Sequence, residues 1–455
     1  MDDNNTKFSE QIDELNNEQW KRYLYGVVGA EVSTITRFCD ECIQISPSSY
    51  DTGFLFDSIE CSSKSQVNDV LDVENRRKNK KNRCVYLFNG NFNYLVDIQE
   101  KLHTLYHKIS RHSRAIIIVY NPYLALLYRF ANWIGLRKGP KPNVYLTENS
   151  LNAIARLAGY EVVRIRPSVF FPIYIPIVSD LVNKFLPIVP IIRRFSFLWV
   201  VVLRPIIPEI TRPSLSIIIP ARNESGNIEN AIQRIPDFPG NKNEIIFIEG
   251  NSNDDTWDRI QSVISNSNNR FSIKAFEQTG IGKHDAVRIG FENATGELVT
   301  ILDADLTMPP EMLPLFYEAY CQGMGDFING SRLIYPMEKK AMRPLNRMGN
   351  FFFSRILSWT LGISISDSLC GTKLFSLSDY KRFVLWGKRF GDFDPFGDFE
   401  MLFAASELSL GIIEIPVRYY ARKYGETNIS RFKHGLDLMR MIYVGFLKIL
   451  IGKTK

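Results

Sequence analysis

Asp303 and Asp305 stand one residue apart just after an apolar run, Leu298 to Leu302. A short run of that composition is the pattern of a buried strand. Alternation along an extended strand sends residues i and i+2 to the same side, which would present both carboxylates together. The carboxyl ends of strands in open α/β sheets are where ligands bind. Two hard oxygen donors there suit Mg²⁺ or Mn²⁺, with the oxygens of an anionic partner such as a diphosphate completing the shell. The bland alternative is a strand end followed by a solvated acidic turn, and Asp-x-Asp alone does not decide between the two.

Other turns add to the constellation. Pro220-Ala-Arg-Asn-Glu224 follows the run from Leu215, and its carboxylate could read a nucleoside or simply cap a helix. Glu249 closes the run from Glu244, and Asp254 beyond it has the setting of a helix cap. Gly280-Ile-Gly282-Lys283 opens a helical stretch, so Lys283 is either a phosphate ligand near a helix N-terminus or an exposed lysine. Asn329-Gly-Ser-Arg332 follows a fifth run, and Lys339, Lys340, Arg343, Arg347 and Arg355 come after it. A departing diphosphate needs charge neutralisation of this kind.

The elements that must position these residues alternate strand and helix from Ser214 onward. Strands are expected at Leu215–Pro220, Glu244–Glu249, Phe271–Glu277, Leu298–Leu302 and Asp326–Asn329, with helices between them and parallel pairing. Met342–Leu361 and Leu436–Ile451 read as long apolar-rich helices. The Pro-rich stretch Arg204–Pro213 marks a domain boundary. Upstream of it, Val85–Phe88, Ala115–Tyr120, Tyr160–Arg166 and Phe197–Leu203 read as strands, and Asp97–His107 and Thr147–Leu157 as helices. The division is therefore a polar, irregular region with a linker at 1–83, an α/β domain at 84–208, and a second α/β domain at 209–455.

Composition bounds the rest. The chain has 455 residues, 45% hydrophobic and 23% charged, with net charge +6. This is globular material that suits anionic partners, and no nucleic-acid module is present. Six cysteines in such a length do not make a disulfide framework. With no leader visible in the polar first ten residues, the expected setting is cytoplasmic. The greasiest region, Ser168 to Pro208, is broken by prolines and charges, and its longest clean run falls short of the roughly 20 residues that span a bilayer. Cys39-x-x-Cys42 is a lone pair, and His103, His107 and His112 read as surface histidines, so neither argues for a metal site.

Taken in order, the motifs resemble family-2 glycosyltransferases of the GT-A fold, specifically the dolichol-phosphate mannosyltransferase-like group. They are Pro-Ala-Arg-Asn-Glu at 220–224, the acidic-Gly-Asn-Ser segment at 249–252, Gly-Lys at 282–283, and Asp-Ala-Asp-Leu at 303–306 with Pro309-Pro-Glu311. Gly-Ser-Arg at 330–332, Asp367 with Cys370-Gly-Thr-Lys373, Gly397-Asp-Phe-Glu400, and Pro416-Val-Arg-Tyr running to Arg422 and Gly425-Glu-Thr-Asn428 complete the set. The resemblance covers about Pro213 to His434. It implies a GT-A nucleotide-diphospho-sugar transferase domain, mostly parallel sheet flanked by helices, that is metal-dependent and inverting. By the same resemblance Pro220, Ala221, Glu224 and Glu249 hold the nucleoside, Asp303 lies beside it, and Asp305 binds the metal. Arg332 and Arg422 sit near the phosphates or the acceptor, and Lys283, from its place at a helix start, could approach a phosphate. Two departures bear on the donor. Glu249 replaces the commoner Asp, and Thr307 stands where the group often has a Gln metal ligand.

Two acceptors follow from the chemistry. A glycan hydroxyl needs a base, with Asp398 the choice over Glu400 and Asp367. A polyprenyl phosphate is already an anion and needs none, and Arg332, Arg343, Arg422 and Lys423 could receive it. Such enzymes work at lipid surfaces, and the aromatic and basic helices Met342–Leu361 and Leu436–Ile451 suit either an interface with a membrane or packing against the core or a second copy. Ala115–Pro205 resembles the C-terminal part of a class I methyltransferase-like domain, through Asp97-Ile-Gln, Asn121-Pro122, Leu146-Thr-Glu-Asn149 and Gly159-Tyr-Glu-Val-Val. Residues 1–114 lack the Gly-x-Gly turn by which such folds approach S-adenosylmethionine, so this smaller domain reads as truncated, a scaffold or partner surface. The rival readings are a bifunctional methyltransferase and glycosyltransferase, and a non-catalytic sugar-nucleotide-binding scaffold.

Overall fold

Runs of Ile, Val and Phe bury on both faces of a sheet only when helices cover both, which is how parallel sheets are built. Two such sheets form in this protein, described here from a computed structural model. The structure describes residues 2–47, 53–78, 82–135, 141–189, 191–265, 270–337, 342, 344–388, 397–422, 424 and 431–451. The chain divides into two units, one made of residues up to Ile207 together with the end from Leu447, the other Pro208–Phe446.

The first unit has strands β1 (Glu41–Ile45), β2 (Lys64–Val67), β3 (Cys84–Asn89), β4 (Arg114–Tyr120), β5 (Tyr160–Ser168) and β6 (Leu198–Pro205). Its helices are α1 (Asp2–Thr36), α2 (Phe54–Ser58), α3 (Ile98–Tyr106), α4 (Ala125–Trp133), α5 (Glu148–Leu157) and α6 (Val178–Phe185). The sheet order is β2-β1-β3-β4-β6-β5; the first four strands are parallel and β6 runs against both its neighbours. Side chains of Asp97 and Thr147 cap α3 and α5, each accepting a backbone N–H in the first turn.

Residues 1–83 are not an irregular linker. They contribute α1 and two strands that extend the sheet begun by β3. Polarity hid them: β2 is an edge strand whose residues stay partly exposed, and the buried Gln44 of β1 accepts the Gln66 Nε2–H of β2 through its Oε1 at 2.9 Å. Within the basic run 76–83, residues 79–81 lie outside the described residues.

The second unit has strands β7 (Leu215–Ala221), β8 (Glu244–Glu249), β9 (Ser272–Glu277), β10 (Leu298–Ile301), β11 (Phe327–Ser331), β12 (Lys373–Ser376) and β13 (Ile412–Pro416). Its helices are α7 (Ile228–Arg234), α8 (Thr256–Ser265), α9 (Lys283–Glu292), α10 (Leu313–Cys321), α11 (Pro344–Leu361), α12 (Leu377–Gly387), α13 (Asp398–Glu407) and α14 (Arg431–Gly445). The sheet order is β13-β11-β12-β10-β7-β8-β9, and only β12 is antiparallel to its neighbours. The expected α/β class and mostly parallel sheet are found, and β12 and β13 are additions that the sequence pattern did not show. β7 through β11 run the same way, so their carboxyl ends share one rim. Because β12 runs the other way, it starts at that rim, with Lys373 opposite Asn329 of β11.

Ile217 and Ile219 of β7 join the main apolar cluster. Ile218, on the other face, packs against α9 at Gly290, where an added Cβ would overlap its Cγ2 and come within 3.3 Å of its Cβ. In α11, Phe353, Leu357 and Leu361 are buried while Phe351 and Phe352 are exposed; in α14, Leu438, Met441 and Ile442 are buried while Leu436 and Tyr443 are exposed. Each helix is thus partly core. Among the described residues no helix is long and apolar enough to cross a membrane.

The close approach of α9 to β7 makes a prediction. Gly290→Ala should destabilise the protein by about 1–3 kcal/mol through overpacking, despite a gain of about 1 kcal/mol in helix propensity. Urea denaturation measures it, and an unchanged midpoint would show that α9 can lift from the sheet at no cost.

Candidate active site

The turns at the shared rim hold the candidate residues, and their backbone is tightly specified. After β7, Asn223 adopts a left-handed φ of 55° and its side-chain oxygen accepts the Asn253 N–H at 2.8 Å, while Ser252 accepts the Asn223 N–H at 2.9 Å. These bonds tie the turn after β7 to the turn after β8. Pro220 and Ala221 lie in register with Ile248 and Glu249.

Glu224 is 6% exposed and accepts Asn227 Nδ2 at 2.7 Å and Arg422 Nη1 at 3.2 Å. Burial pushes its carboxyl up to about 7, against the opposing pull of Asn227 and the Arg422 charge. Glu249 turns back on its own loop, with Oε1 accepting the Ser252 N–H at 2.7 Å and Oε2 the Asn251 N–H at 3.1 Å. It therefore shapes the turn beside the expected nucleoside position, using both carboxylate oxygens to do so.

The strand expected to carry the two aspartates stops at Ile301, and Asp303 and Asp305 lie on the turn beyond it. The Leu306 N–H donates to the Asp303 carbonyl at 3.2 Å, and Leu306 takes a φ of 53°. The simple alternation argument does not survive this turn, and the two carboxylates take different cations. Asp303 pairs with Lys283, the first residue of α9. Burial works against the charged carboxyl, but the Lys283 ammonium overrides it and holds Asp303 below the usual range. Asp305 Oδ2 accepts Arg422 Nη2 at 2.5 Å, and its Oδ1 accepts the Thr307 N–H at 3.0 Å and hydroxyl at 2.8 Å.

Arg422 thus bridges Asp305 and Glu224. Its segment is fastened on either side: the Tyr420 N–H donates to the Thr307 carbonyl at 2.9 Å, and the Tyr424 hydroxyl lies 3.0 Å from Ser225 Oγ. The Tyr424 ring lies over Gly226, where an added Cβ would come within 2.8 Å of it. Gly371 makes a similar approach on the other side, since a Cβ there would press on the Lys283 ammonium and come within 2.6 Å of Asp303 Oδ2.

Two further ion pairs complete the rim. Arg332 forks onto the fully buried Asp367, with Nε at 2.7 Å from Oδ2 and Nη2 at 2.8 Å from Oδ1. Asp367 also accepts Asn350 Nδ2 at 2.7 Å and the Arg332 backbone N–H at 2.9 Å. Against the cost of burial, the Arg332 charge and these bonds bring its carboxyl down to about 2. Arg332 is therefore a fixed positive centre rather than a mobile arm. Asp398, at the start of α13, accepts the ammonium of Lys373 at 2.5 Å, and Lys373 is fully buried. The structure engages this expected base with a cation. In the sequence Lys373 is only the end of the Cys370-Gly-Thr-Lys373 motif, and its position at the start of a central antiparallel strand is what makes it matter.

The rim brings together Glu224, Asp303, Asp305, Lys283, Arg332, Asp398 and Arg422 through these pairs, with Pro220, Ala221 and Glu249 in the adjoining turns. Arg343, Lys339, Lys340, Lys423 and 425–428 lie outside the described residues. Among the described residues no group of three or more His, Cys, Asp or Glu side chains forms a metal cage. Two carboxylates at a rim still fit a hard divalent ion of the kind that takes one or two protein carboxylates and finishes its shell with water and substrate phosphate.

Part of the chain is similar to known proteins. Residues 216–383 match glycosyl transferase family 2. The chain is 27% identical over 233 residues to an undecaprenyl-phosphate 4-deoxy-4-formamido-L-arabinose transferase of Edwardsiella ictaluri, covering 50% of this chain and 66% of the relative. It is 35% identical over 122 residues to a dolichol-phosphate mannosyltransferase of Pyrococcus furiosus, covering 26% and 33%. It is 27% identical over 235 residues to a low-salt glycan biosynthesis hexosyltransferase of Haloferax volcanii, covering 51% and 54%. The chain thus spans between a third and two thirds of the length of these relatives. Among solved structures, glucosyl-3-phosphoglycerate synthase from Mycobacterium tuberculosis aligns at 15% identity and TM-score 0.39, over 51% of this chain and 78% of that one.

The Arg332–Asp367 pair makes a prediction with a defined sign. Asp367 titrates lower in the folded chain than unfolded, so its contribution is full above pH 4 and is lost as pH falls from 3.8 toward 2. Asp367→Asn should cost about 3–5 kcal/mol at neutral pH by leaving Arg332 buried and unpaired. The gap between wild type and variant should narrow by about 2 kcal/mol across that acid range. Denaturant titrations at several pH values check it, and a constant gap would mean that Asp367 does not titrate low.

Proposed function

We propose, from a chain whose residues 216–383 form a glycosyl transferase family 2 domain, that it transfers a sugar from a nucleotide-diphospho-sugar to a polyprenyl phosphate. The observation that carries this reading is the placement of Glu224, Asp303 and Asp305 at one sheet rim with Lys283, Arg332 and Arg422 among them. Such a rim can receive a nucleoside at the turns after β7 and β8 and a diphosphate beside the cations. The relatives named as undecaprenyl-phosphate and dolichol-phosphate transferases support the acceptor class.

Asp305 and Asp303 would hold Mg²⁺ or Mn²⁺, which when bound draws charge from the departing diphosphate. Arg422 and Lys283 rest on those carboxylates and are the groups positioned to pass onto phosphate oxygens when a donor arrives. Arg332, pinned by Asp367, supplies a positive field that need not reorganise. In the transfer an acceptor phosphate oxygen attacks the anomeric carbon, the bond from that carbon to the diphosphate breaks, and the diphosphate leaves with the electron pair, inverting the centre. The engagement of Asp398 by Lys373 favours this acceptor over a glycan hydroxyl, because an anionic oxygen attacks without surrendering a proton.

A methyltransferase-like descent for the first unit is supported by its four parallel strands followed by the antiparallel β6. Residues 1–114 carry no Gly-x-Gly turn by which such folds approach S-adenosylmethionine, and Asn91, after β3, donates its amide to the Ser46 carbonyl, after β1, at 2.5 Å. A scaffold role fits better.

The test pairs acceptors and donors. Calorimetry of UDP, GDP, CDP and dTDP, each with and without Mn²⁺, should show one nucleotide bound in a Mn²⁺-dependent way. Transfer should proceed to a polyprenyl phosphate and not to the matching polyprenol. Asp305→Asn should lower turnover on the order of 100-fold or more and remove the Mn²⁺ dependence of nucleotide binding. Equal transfer to the polyprenol would restore Asp398 as base, and full activity in Asp305→Asn would remove Asp305 from the metal site.

A further inference from the structure

The segment after β5 is built inside out. On α6, Ser179 is fully buried; its hydroxyl donates to the Ile173 carbonyl at 2.8 Å and accepts the Ile175 N–H at 2.5 Å. One turn on, Asn183 accepts the N–H groups of Phe170 and Phe171 at 2.6 and 2.9 Å and donates to the Tyr23 hydroxyl at 2.9 Å. The polar residues thus face inward, with their bonding satisfied. Val178, Leu181 and Phe185, at i, i+3 and i+7, face outward and are 47%, 50% and 48% exposed. Ile177 is 73% exposed and held at φ 68°, a conformation costly to a β-branched residue.

α4 extends the same surface. Asn121, just ahead of it, donates to the carbonyls of Arg194 and Ser196 at 2.7 and 2.6 Å, which fastens the start of α4 to the connection between α6 and β6. α4 presents Leu126, Phe130 and Trp133, the last 80% exposed. Residues 123–134 and 173–195 hold fifteen of the thirty-eight exposed large hydrophobic residues among those described, so this is a concentrated patch rather than ordinary scatter.

Charge identifies what covers it. Arg129, Lys184 and Arg194 lie in these stretches, against the single carboxylate Asp180, while Arg193 is partly buried near the Arg166–Glu31 pair. Long cationic side chains can lay their stems along apolar surface and keep their heads at an anionic layer, and Trp and Tyr favour the same depth. Helices of eight and nine residues cannot span, but they can rest on a surface. We propose that this face of the first unit, α4 with α6 and the turns around them, docks on the surface of an anionic lipid bilayer. The inference does not rest on the sugar-transfer reading, since the inverted polarity of α6 stands without it.

The test is flotation of the full chain with vesicles of phosphatidylcholine, with and without phosphatidylglycerol. Wild type should float with the anionic vesicles and be released by high salt. Leu181→Glu with Phe185→Glu should lower the bound fraction roughly ten-fold, because it removes buried apolar area. Arg129→Glu with Arg194→Glu should abolish only the preference for anionic vesicles. These positions are exposed, so unchanged circular-dichroism melting should accompany both results. Brominated lipid should quench tryptophan fluorescence in wild type but less in Trp133→Phe. Absence of flotation with either vesicle, or flotation of Leu181→Glu/Phe185→Glu equal to wild type, would overturn the proposal. So would a wild type that fails to float but self-associates in sedimentation, with the same variant monomeric, since the face would then belong to a second copy.

Discussion

Charge withdrawn from water must be paired, and the rim of the second sheet is organised around that constraint. A fully buried ammonium such as Lys373 is tolerable only because Asp398 and a backbone carbonyl receive it, and a fully buried carboxylate such as Asp367 only because Arg332 and Asn350 do. The fold supplies these partners by inserting one strand in reverse. β12 begins where its neighbours end, so its first side chain enters the rim from below as a cation, while β10 and β11 deliver residues from their ends. Neighbouring turns then lock to one another through Asn223, Ser252 and Asn253.

Much of this was legible in the chain. The unbroken apolar runs of β7, β8 and β10 announced strands covered on both faces, and a carboxylate after each announced a polar rim. What could not be read was pairing. Asp305 meets Arg422 across 117 positions, and no local pattern indicates that this arginine, rather than Lys283 two elements earlier, would reach it. The aspartates looked like a matched pair because alternation was applied past the point where the strand ends, and the turn at Leu306 sends them to different cations. Glu249 has the position of a ligand, and no periodicity indicates that its carboxylate also accepts the backbone N–H groups of Asn251 and Ser252 in the turn after it. The strand β12 is only four residues long and begins with lysine, a sequence that periodicity does not distinguish from a loop.

The first unit shows the same limit from the other side. Its early strands carry Glu41, Gln44, Lys64 and Gln66, so composition marked them as linker, while their hydrogen bonds across the sheet edge make them structure. Its most apolar stretch was legible as too interrupted to span a bilayer. The direction in which its side chains point was not, because the helix period is satisfied equally well with the polar stripe inside or outside. Only the partners of Ser179 and Asn183 distinguish the two.

The bridge of Arg422 between Glu224 and Asp305 makes the resting rim behave like a solid salt toward ions in solution. A lone dication would have to expel a guanidinium that already neutralises its carboxylates, and a lone polyanion would have to strip the same guanidinium from two carboxylates and leave them bare beside itself. A solute that brings both signs together can trade with the bridge in one double exchange, each ion leaving one partner for another with little net charge uncovered. Under the proposed reading, that arrangement would favour a complex over either of its components before any base or sugar is recognised.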